Sequence, residues 1–300
     1  SRGHMGTEDI STRYLDLDLW GTLEGVKALH EGQVEAVAAI GPALPAIAAA
    51  VDAAVPQLKR GGRLIYVGAG TSARIGVQDG AELFPTFSWP KDQVAFAIAG
   101  GEGALLHAVE NAEDSASGGV ARIVELAVGE NDVVIGVAAS GATPFTIAAI
   151  KEARARGALT IGVANNRNAQ LLSASEHAIL VETGPEAVAG STRMKAGTSQ
   201  KIVLNLLSTM IMVRLGKVYR GLMVHMRPTN AKLRRRAEQM VVTIVGCDDQ
   251  AAADAMAKAD GDVKLAVLLA SGADMANAIA ALQKSDGNLR YALAEITPRQ

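Results

Sequence analysis

The chain has 300 residues, of which 49% are hydrophobic and 3% aromatic, so it can bury a large core but has few rings for stacking on a sugar or a base. Its 29 lysines and arginines nearly balance 31 aspartates and glutamates, which argues against a general nucleic-acid surface. A single cysteine, Cys247, excludes a disulfide framework or a cysteine-based zinc cluster within one chain.

The sequence has no signal-peptide pattern and no apolar run that looks long enough to span a bilayer. We therefore expect a cytoplasmic protein without a membrane partner. Residues Ser1–Met5, SRGHM, resemble the remnant of a purification tag and are excluded from the functional reasoning, His4 included. The basic run Lys232–Arg236 indicates a solvated helix face rather than a nucleic-acid contact, because the chain is not basic overall.

The order of apolar runs predicts the fold class. A polar arm at Thr7–Asp18 and two helices, Leu23–Glu31 and Val34–Leu58, precede the first strand. Five strands follow, predicted at Leu64–Val67, Val94–Ala99, Val133–Ala138, Leu159–Val163 and His177–Val181. Nearly continuous apolar strands separated by helices predict an α/β fold, a doubly wound parallel five-stranded sheet flanked by helices. Ligands of such sheets bind at the carboxyl ends of the strands.

Helical patterns fill the gaps between the strands and the rest of the chain. The predicted helices among the strands are Ser72–Glu82, Gly103–Asn111, Ser115–Ala127, Pro144–Arg156 and a short one near Ala169–Leu172. A long helix is predicted over about Gln200–Lys217, and an Ala-rich texture after Cys247 predicts a small C-terminal helical module. We divide the chain into an N-terminal helical segment (6–60), a sheet domain (61–220), a connecting helix (221–246) and the helical module (247–300).

The first strand runs into a small-residue turn, Gly68-Ala69-Gly70-Thr71-Ser72, followed by a helix. Glycines let the backbone approach a ligand, and free N–H groups at a helix start point toward it. Gly70, Thr71 and Ser72 are therefore candidate ligands of a phosphate. The spacing also fits a degenerate dinucleotide fingerprint, but the acidic residue required at the end of the next strand is missing. A plain tight turn is the third interpretation.

A second turn has the same character. Ala138–Pro144, AASGATP, joins a buried strand to a helix start. Its Ser140, Gly141 and Thr143 could form the second half of a phosphate cradle. Either loop alone is a weak signal, since Ser and Thr also cap helices.

Carboxylates near these loops are candidate catalysts. The helix after the first loop delivers Asp79 and Glu82 on one face. Beside Glu82 lies an apolar patch, Leu83-Phe84-Pro85, which would raise the pKa of the carboxyl and suit an acid/base catalyst. Further carboxylates, Glu110, Glu113 and Asp114, follow the second strand in AVENAEDS, although single glutamates usually lie on solvated faces.

A loop at Gly184–Ser199 combines carboxylate, hydroxyl and cationic side chains before a helix start. Its candidate ligands of a sugar or an anion are Glu186, Ser191, Thr192 and Lys195, with Arg193 between them. An ordinary capped loop is the alternative. No metal site is expected, because the histidines after the tag-like segment do not pair at metal-ligand spacing; these are His30, His107, His177 and His225.

Several of these stretches together carry a resemblance to known proteins. They are GAGTSARIGVQDGAELFPTF, AVENAEDS, AASGATP, GSTRMKAGTSQKIVLNLLSTMIMVRLGKVY and MVHMRPTNAKLRRRA. With them the chain resembles the sugar isomerase (SIS) domain family and, more narrowly, the bacterial N-acetylmuramic acid 6-phosphate etherases. The match covers nearly the whole chain, and STRMKAGT with its following helix is the most specific part.

The resemblance implies a lyase without a cofactor, which cleaves the C3 lactyl ether of a sugar phosphate and releases D-lactate. It implies that Glu82 is the acid/base glutamate and Glu113 the second important glutamate. It also implies a homodimer. The chain departs from the family at Ala73, at Leu83-Phe84-Pro85 and at Ala142, where the family usually has an arginine.

Without this arginine, the site lacks a cation that could bind the phosphate or the lactyl carboxylate. Arg74, Arg193 or Lys195 could take its place.

Two alternative functions remain open at this point. An aldose–ketose sugar-phosphate isomerase of the same fold would use Glu186 as its catalyst. A regulator would bind a sugar phosphate without turnover.

Overall fold

A computed structural model describes residues 5–296 of the chain, so most of the tag-like segment lies outside the described residues. Within that range the strands form one parallel sheet: β1 Leu64–Gly68, β2 Val94–Ile98, β3 Val133–Ala138, β4 Leu159–Ala164 and β5 His177–Leu180. The central strands β1, β3 and β4 are buried along their whole length, as expected when helices cover both faces. The predicted five-stranded parallel sheet is confirmed.

The strand order is β2-β1-β3-β4-β5. The chain leaves β1 toward β2 on one side and returns to β3 on the other side of β1. A crevice opens where the direction of winding reverses, outside the carboxyl ends of β1 and β3. The two hydroxyl-containing loops of the sequence analysis follow these two strands, so the topology brings them to the same crevice.

Helices cover the two faces of the sheet. On one face lie α2 (Leu44–Lys59), which packs on β3, β4 and β5, and α3 (Gly70–Ala81), which packs on β1 and β2. The other face carries three helices that pack together, which are α5 (Ala116–Glu125), α6 (Pro144–Ala155) and α7 (Gln170–Ala174). The remaining helices before the C-terminal module are α1 (Thr22–Ala38), α4 (Leu83–Phe87), α8 (Lys195–Arg214) and α9 (Ala231–Val245).

A buried carboxylate anchors α3. Asp79 is 4% exposed and accepts hydrogen bonds from the Tyr66 hydroxyl at 2.6 Å, Asn205 Nδ2 at 2.7 Å and Ser208 Oγ at 3.0 Å. Burial, together with the charge of Asp79, raises the pKa of Tyr66 well above its ordinary value. Asp79 therefore ties α3 to the middle of β1 and to α8.

Two helix predictions differ from the structure. The segment Gly103–Asn111 is not an α-helix; it contains a short 3-10 turn, Glu102–Leu105, and reaches a left-handed residue at Asn111 (φ 59°). The preceding Gly100 and Gly101 also have positive φ, which favours a turn over a helix start. In addition, α8 begins at Lys195, five residues before the predicted start, because Glu186 caps it from the loop.

The chain packs into two compact units, which we describe separately. The first runs to Ala81 and continues over Lys91–Ser208, and the second comprises Glu82–Pro90 and the chain from Thr209 onward.

By length and composition alone, Thr22–Lys59 could cross a membrane, with a mean hydropathy of 1.8 in its most apolar window. Of the residues in that window 33% are buried, and α2 within this stretch packs on the sheet.

The second unit contains the predicted C-terminal helical module, with α10 (Asp249–Lys258), α11 (Val263–Ala270), α12 (Met275–Lys284) and α13 (Leu289–Ile296). Three of its helices are capped by an aspartate that accepts the backbone N–H three residues later; these caps are Asp248, Asp262 and Asp274. The module is therefore confirmed as a helical element, and its buried side chains form one core with those of α9 and of residues 219–226.

In this unit Lys264 is buried, and Lys217 and His225 are half-buried. Lys217 Nζ lies 2.7 Å from His225 Nε2, and Lys264 Nζ donates to the Gly287 carbonyl at 2.6 Å. Burial lowers the pKa of His225 to about 3, with additional repulsion from Lys264, Lys217 and Arg227. His225 is therefore neutral at pH 7 and accepts a hydrogen bond from Lys217.

We expect the second unit to lose stability as the pH falls from about 6.5 toward 3. The folded pKa of His225 lies below its unfolded value, so the unfolded chain binds one more proton in this window, and this site contributes at most about 1.4 kcal/mol per pH unit. Urea unfolding between pH 4 and 7 measures the slope. His225→Gln should reduce it and His30→Gln should not; equal slopes in both variants would contradict the assignment.

Candidate active site

The β1 loop is built so that the first turn of α3 lies at the carboxyl end of the strand. A Cβ at Gly68 would lie 3.0 Å from the backbone nitrogen of Ala73, so the helix starts directly against the strand end. Gly70 has φ 54° and is exposed at the first position of α3, and Thr71 is half-buried beside it. The first N–H groups of a helix have no partner within it and are available to an anion.

The third residue of this turn, Ser72, belongs to a buried polar network. Its hydroxyl donates to Gln200 Oε1 at 2.9 Å, and Gln200 Nε2 donates to Asn165 Oδ1 at 3.0 Å. Asn165 Nδ2 in turn donates to the Val181 carbonyl and to Ser199 Oγ, each at 2.9 Å. The network joins the ends of β1, β4 and β5 to the first turns of α8, so Ser72 holds the crevice wall in place.

The β3 loop lies on the other side of the crevice. Ser140 Oγ accepts the Ala142 N–H at 3.2 Å. Gly141 has φ 67°, and a Cβ there would lie 2.2 Å from Ala169 Cβ, so only glycine fits this position. Thr143 precedes α6 and its hydroxyl makes no capping bond, while Pro144 occupies the first helical position. Among residues 5–296, the Ser140 hydroxyl donates no hydrogen bond to another residue.

The segment with Glu113 is held beside this loop. The Glu113 backbone carbonyl accepts the Phe145 N–H at 3.0 Å, and Phe145 is buried near the start of α6. The Glu113 side chain is exposed, as is that of Glu110. The structure thus brings Glu113 to the β3 loop, a proximity that spacing along the chain does not reveal.

Glu186 stabilises the third loop from inside. Its carboxylate is 1% exposed and accepts the Lys195 and Ala196 backbone N–H groups, each at 3.0 Å. A carboxylate at a helix N-terminus also interacts favourably with the helix dipole. Both oxygens of Glu186 are therefore engaged in holding the start of α8.

The first turn of α8 packs on the β1 loop. The Thr192 carbonyl accepts the Gly197 N–H at 2.9 Å, and a Cβ at Gly197 would lie 3.4 Å from Thr71 Cγ2. Ser191 and Thr192 are half-buried in the loop that leads to this contact. The candidate residues of all three loops are thus within one region of the first unit.

The three candidate cations differ in their partners. Arg74 donates to the Leu105 and Ala104 carbonyls at 2.8 and 3.2 Å, and the buried Lys195 pairs with Glu35 at 3.2 Å. Arg193 is exposed and makes no hydrogen bond or ion pair with any other residue in the range 5–296. Of these three, Arg193 is the cation available to a ligand.

Glu82 directly follows the last residue of α3 and is exposed. The predicted apolar enclosure is incomplete within this chain: Leu83 is buried, whereas Phe84 and Pro85 are exposed. Asp79 and Glu82 do not share a face as predicted, because α3 ends at Ala81 and Asp79 points into the core.

Sequence reasoning missed the amides Asn165 and Gln200. The position of Asn165 directly after β4 was a usable signal, since strand ends line the sites of such sheets. Gln200 had no comparable signal, because it lies one turn into a helix. Over the described part of the chain, no group of three His, Cys, Asp or Glu side chains is arranged to hold a metal ion.

Comparison with family models matches two parts of the chain. Residues 46–154 match the glucokinase regulatory protein N-terminal SIS domain, and residues 114–210 match the SIS domain. Among solved structures, a phosphoheptose isomerase from Francisella tularensis superposes with a TM-score of 0.51 at 20% identity, covering 65% of this chain and all of that one. At this identity the likeness extends to the fold alone.

Relatives of full length are more similar. The N-acetylmuramic acid 6-phosphate etherase of Deinococcus radiodurans is 49% identical over 290 residues, covering 96% of this chain and 95% of that protein. The protein of the same name from Streptomyces avermitilis is 44% identical, with 97% and 94% covered. The one from Salmonella enteritidis is 46% identical, with 97% and 98% covered. The chain belongs to the N-acetylmuramic acid 6-phosphate etherase family of SIS-domain proteins.

Proposed function

We propose that the protein is a carbon–oxygen lyase that converts N-acetylmuramic acid 6-phosphate into N-acetylglucosamine 6-phosphate and D-lactate, a step in recycling cell-wall sugar. The observation that carries this proposal is the 44–49% identity to etherases over nearly the whole chain. The crevice between the β1 and β3 loops, with helix N-termini and hydroxyl groups on both sides, suits the phosphate of such a substrate.

The substrate's own aldehyde supplies the activation that a cofactor would otherwise provide. In the open-chain sugar, the C1 carbonyl makes the C2 proton acidic. A base removes this proton, the C3–O bond breaks, and an acid protonates the departing lactate oxygen. Water then adds across the C2–C3 double bond, with its hydroxyl on C3 and its proton on C2. No cofactor takes part in this sequence.

Two glutamates have the chemistry for these proton transfers. Glu82 protonates the leaving oxygen and then activates water, a role that one carboxyl can fill in both directions. Glu113, held beside the β3 loop by its carbonyl, is the candidate base at C2. The exposed carboxylate of Glu113 leaves it free to meet a bound sugar.

Gly70, Thr71, Ser140, Gly141 and Thr143 form the phosphate cradle in this proposal. Ser72, Glu186 and Lys195 hold its walls, and Ser191 and Thr192 line the loop that covers it. Arg193 binds the lactyl carboxylate, since it is the unpaired cation beside Thr192 and compensates for Ala142. Arginine suits a carboxylate because its planar guanidinium can donate two parallel hydrogen bonds.

The protein acts as a cytoplasmic homodimer in this proposal, without a nucleic-acid or membrane partner. Exposed apolar side chains on α1, namely Leu23, Val26, Val34 and Val37, follow one another at intervals of three, eight and three residues and so lie along one face of the helix. A second copy of the chain would bury this face, which also accounts for the apolar character of Thr22–Lys59.

The reaction is tested by D-lactate release from N-acetylmuramic acid 6-phosphate. Wild type should release lactate, and Glu82→Gln should lose at least about 100-fold in kcat because general acid–base catalysis contributes that much or more. Glu110→Gln is the matched control for the loss of a carboxylate and should stay near wild type. Thermal stabilisation by the sugar phosphate without any lactate would instead favour the regulator.

Arg193→Ala should raise KM for N-acetylmuramic acid 6-phosphate roughly tenfold to a hundredfold, since a charge-assisted hydrogen bond contributes about 1.5–3 kcal/mol. Binding of N-acetylglucosamine 6-phosphate, which lacks the lactyl group, should change little. Arg167→Ala is the matched control, because Arg167 is exposed but already paired with Glu182. Equal weakening of both ligands by Arg193→Ala would reassign Arg193 to the phosphate.

Glu186→Gln distinguishes a structural role from the catalytic role that an isomerase requires. The amide would turn an NH2 group toward one of two buried N–H donors, so the free energy of unfolding should fall by about 1–3 kcal/mol. Glu182→Gln, at an exposed position, should change it by less than about 0.5 kcal/mol. If Glu186→Gln instead abolished activity while the free energy of unfolding stayed unchanged, the result would support the isomerase.

A further inference from the structure

The N-terminal arm of the chain is bound at the carboxyl edge of the sheet. Thr7 is fully buried, although it is only the third described residue. Its backbone N–H donates to Asn166 Oδ1 at 2.9 Å, and its hydroxyl oxygen accepts a hydrogen bond from Asn166 Nδ2 at 2.8 Å. A Cβ at Gly6 would lie 2.6 Å from the same Asn166 Oδ1. Since Asn166 is the second residue after β4, these contacts place the arm among the loops of the candidate site.

The same asparagine holds the β3 loop. Asn166 Nδ2 also donates to the Ala139 carbonyl at 3.0 Å, and Ala139 directly precedes Ser140. The nitrogen and the oxygen of the Asn166 amide are thus both engaged, with two hydrogen bonds to the arm and one to the loop. A single side-chain amide therefore joins Thr7 to the loop that carries one half of the proposed phosphate cradle.

Glu8 extends from this anchor to the third loop. Its Oε1 accepts a hydrogen bond from the Thr7 hydroxyl at 3.1 Å, and its Oε2 lies 3.4 Å from the position of a Cβ at Gly190. Gly190 directly precedes Ser191, in the loop proposed to cover the cradle. Glu8 is exposed and forms no ion pair with another residue in the range 5–296. The arm therefore places a carboxylate without a cationic partner beside both loops.

This carboxylate suits a neutral donor better than an anion. It would repel the phosphate and the lactyl carboxylate of the proposed substrate, whereas a hydroxyl or the acetamido N–H of the sugar can donate to it. A hydrogen bond to a charged acceptor is also stronger than one to a neutral acceptor. Within the described chain, the hydrogen bond to the Glu8 side chain comes from the adjacent Thr7, so loss of the carboxylate should cost the fold little.

We infer that Glu8 is a specificity-determining residue of the site, whose carboxylate accepts a hydrogen bond from an N–H or O–H group of the bound sugar. Thr7 and Asn166 are positioning residues, which hold the arm against the β3 loop and direct the Glu8 carboxylate. The inference rests on the proposed function, because that function identifies the ligand as an N-acetylated sugar phosphate.

Calorimetric titration with N-acetylglucosamine 6-phosphate tests the role of Glu8 without turnover. Glu8→Ala should raise Kd about tenfold or more, since the lost hydrogen bond has a charged acceptor. Inorganic phosphate, which carries no sugar, should bind Glu8→Ala at least as tightly as wild type. Asp16→Ala removes another exposed carboxylate of the arm and is the matched control. An unchanged Kd for the sugar phosphate in Glu8→Ala, or an equal loss for inorganic phosphate, would overturn the inference.

Glucose 6-phosphate identifies the donor, because it has a hydroxyl in place of the acetamido group. If Glu8→Ala weakens binding of N-acetylglucosamine 6-phosphate but not of glucose 6-phosphate, the donor is the acetamido N–H. If Glu8→Ala weakens binding of both, the donor is a hydroxyl that the two sugars share. Either result supports Glu8 as the acceptor.

Thr7→Val and Thr7→Ser test the positioning. Valine keeps the branched shape but lacks the hydroxyl that joins Asn166 to Glu8, so Kd for the sugar phosphate should rise about threefold or more. Serine keeps the hydroxyl and should restore binding. Added to Glu8→Ala, Thr7→Val should raise Kd by less than the product of the two single effects, because both act on one contact. Equal weakening by valine and serine, or fully multiplicative effects, would overturn the positioning role.

Failure of the proposed function would be visible separately. A wild type that binds N-acetylglucosamine 6-phosphate but releases no D-lactate from N-acetylmuramic acid 6-phosphate contradicts the reaction and leaves the binding test of Glu8 in force. A wild type that binds no sugar phosphate overturns both. Where lactate is released, Glu8→Ala should raise KM by the factor seen in Kd and change kcat less than about threefold, because the contact is made before and during the reaction alike. A fall in kcat with unchanged KM would contradict the assigned role.

Discussion

The candidate site depends on a chain of buried amide and hydroxyl hydrogen bonds across the carboxyl edge of the sheet. Ser72, Gln200, Asn165 and Ser199 connect the first turn of α3 to α8 and to the ends of β4 and β5. Such groups are costly to bury unless each finds a partner, and here the four side chains satisfy one another. The network therefore holds the loops in one arrangement before any ligand arrives. Preorganised donors of this kind do not have to reorganise when negative charge binds.

Glu186 extends the same principle to the third loop. Its carboxylate takes two backbone N–H groups at the start of α8, which would otherwise lack partners within the helix. Together with the Lys195–Glu35 pair, it leaves Arg193 as the cation of this loop without an ion pair in the described chain. Within ten residues of the chain, Glu186 and Lys195 thus stabilise the fold, whereas Arg193 is available to a ligand.

A second buried carboxylate, Asp79, anchors the helix that follows the β1 loop. It ties α3 to β1 and to α8 within the first unit, so the helix is fixed up to its last residue, Ala81. The departure from the family's usual sequence at Leu83-Phe84-Pro85 begins immediately beyond this point.

The sequence alone determined the parallel sheet, the succession of strands and helices along the chain, and the two glycine- and hydroxyl-containing loops, because apolar periodicity and turn chemistry are local signals. The order of the strands within the sheet came from the structure. The choice of Glu82 as an acid/base candidate stays a prediction, because only Leu83 of the three apolar neighbours is buried. The sequence pattern was wrong about the Gly103–Asn111 helix, which is preceded by Gly100 and Gly101 with positive φ and contains only a short 3-10 turn. Tertiary structure decided the rest. That Glu113 meets the β3 loop, that Glu186 is a helix cap rather than an open ligand, and that Asn165 and Gln200 join three strand ends are all contacts between residues far apart in the chain. Such contacts depend on how the elements pack, which no local pattern specifies.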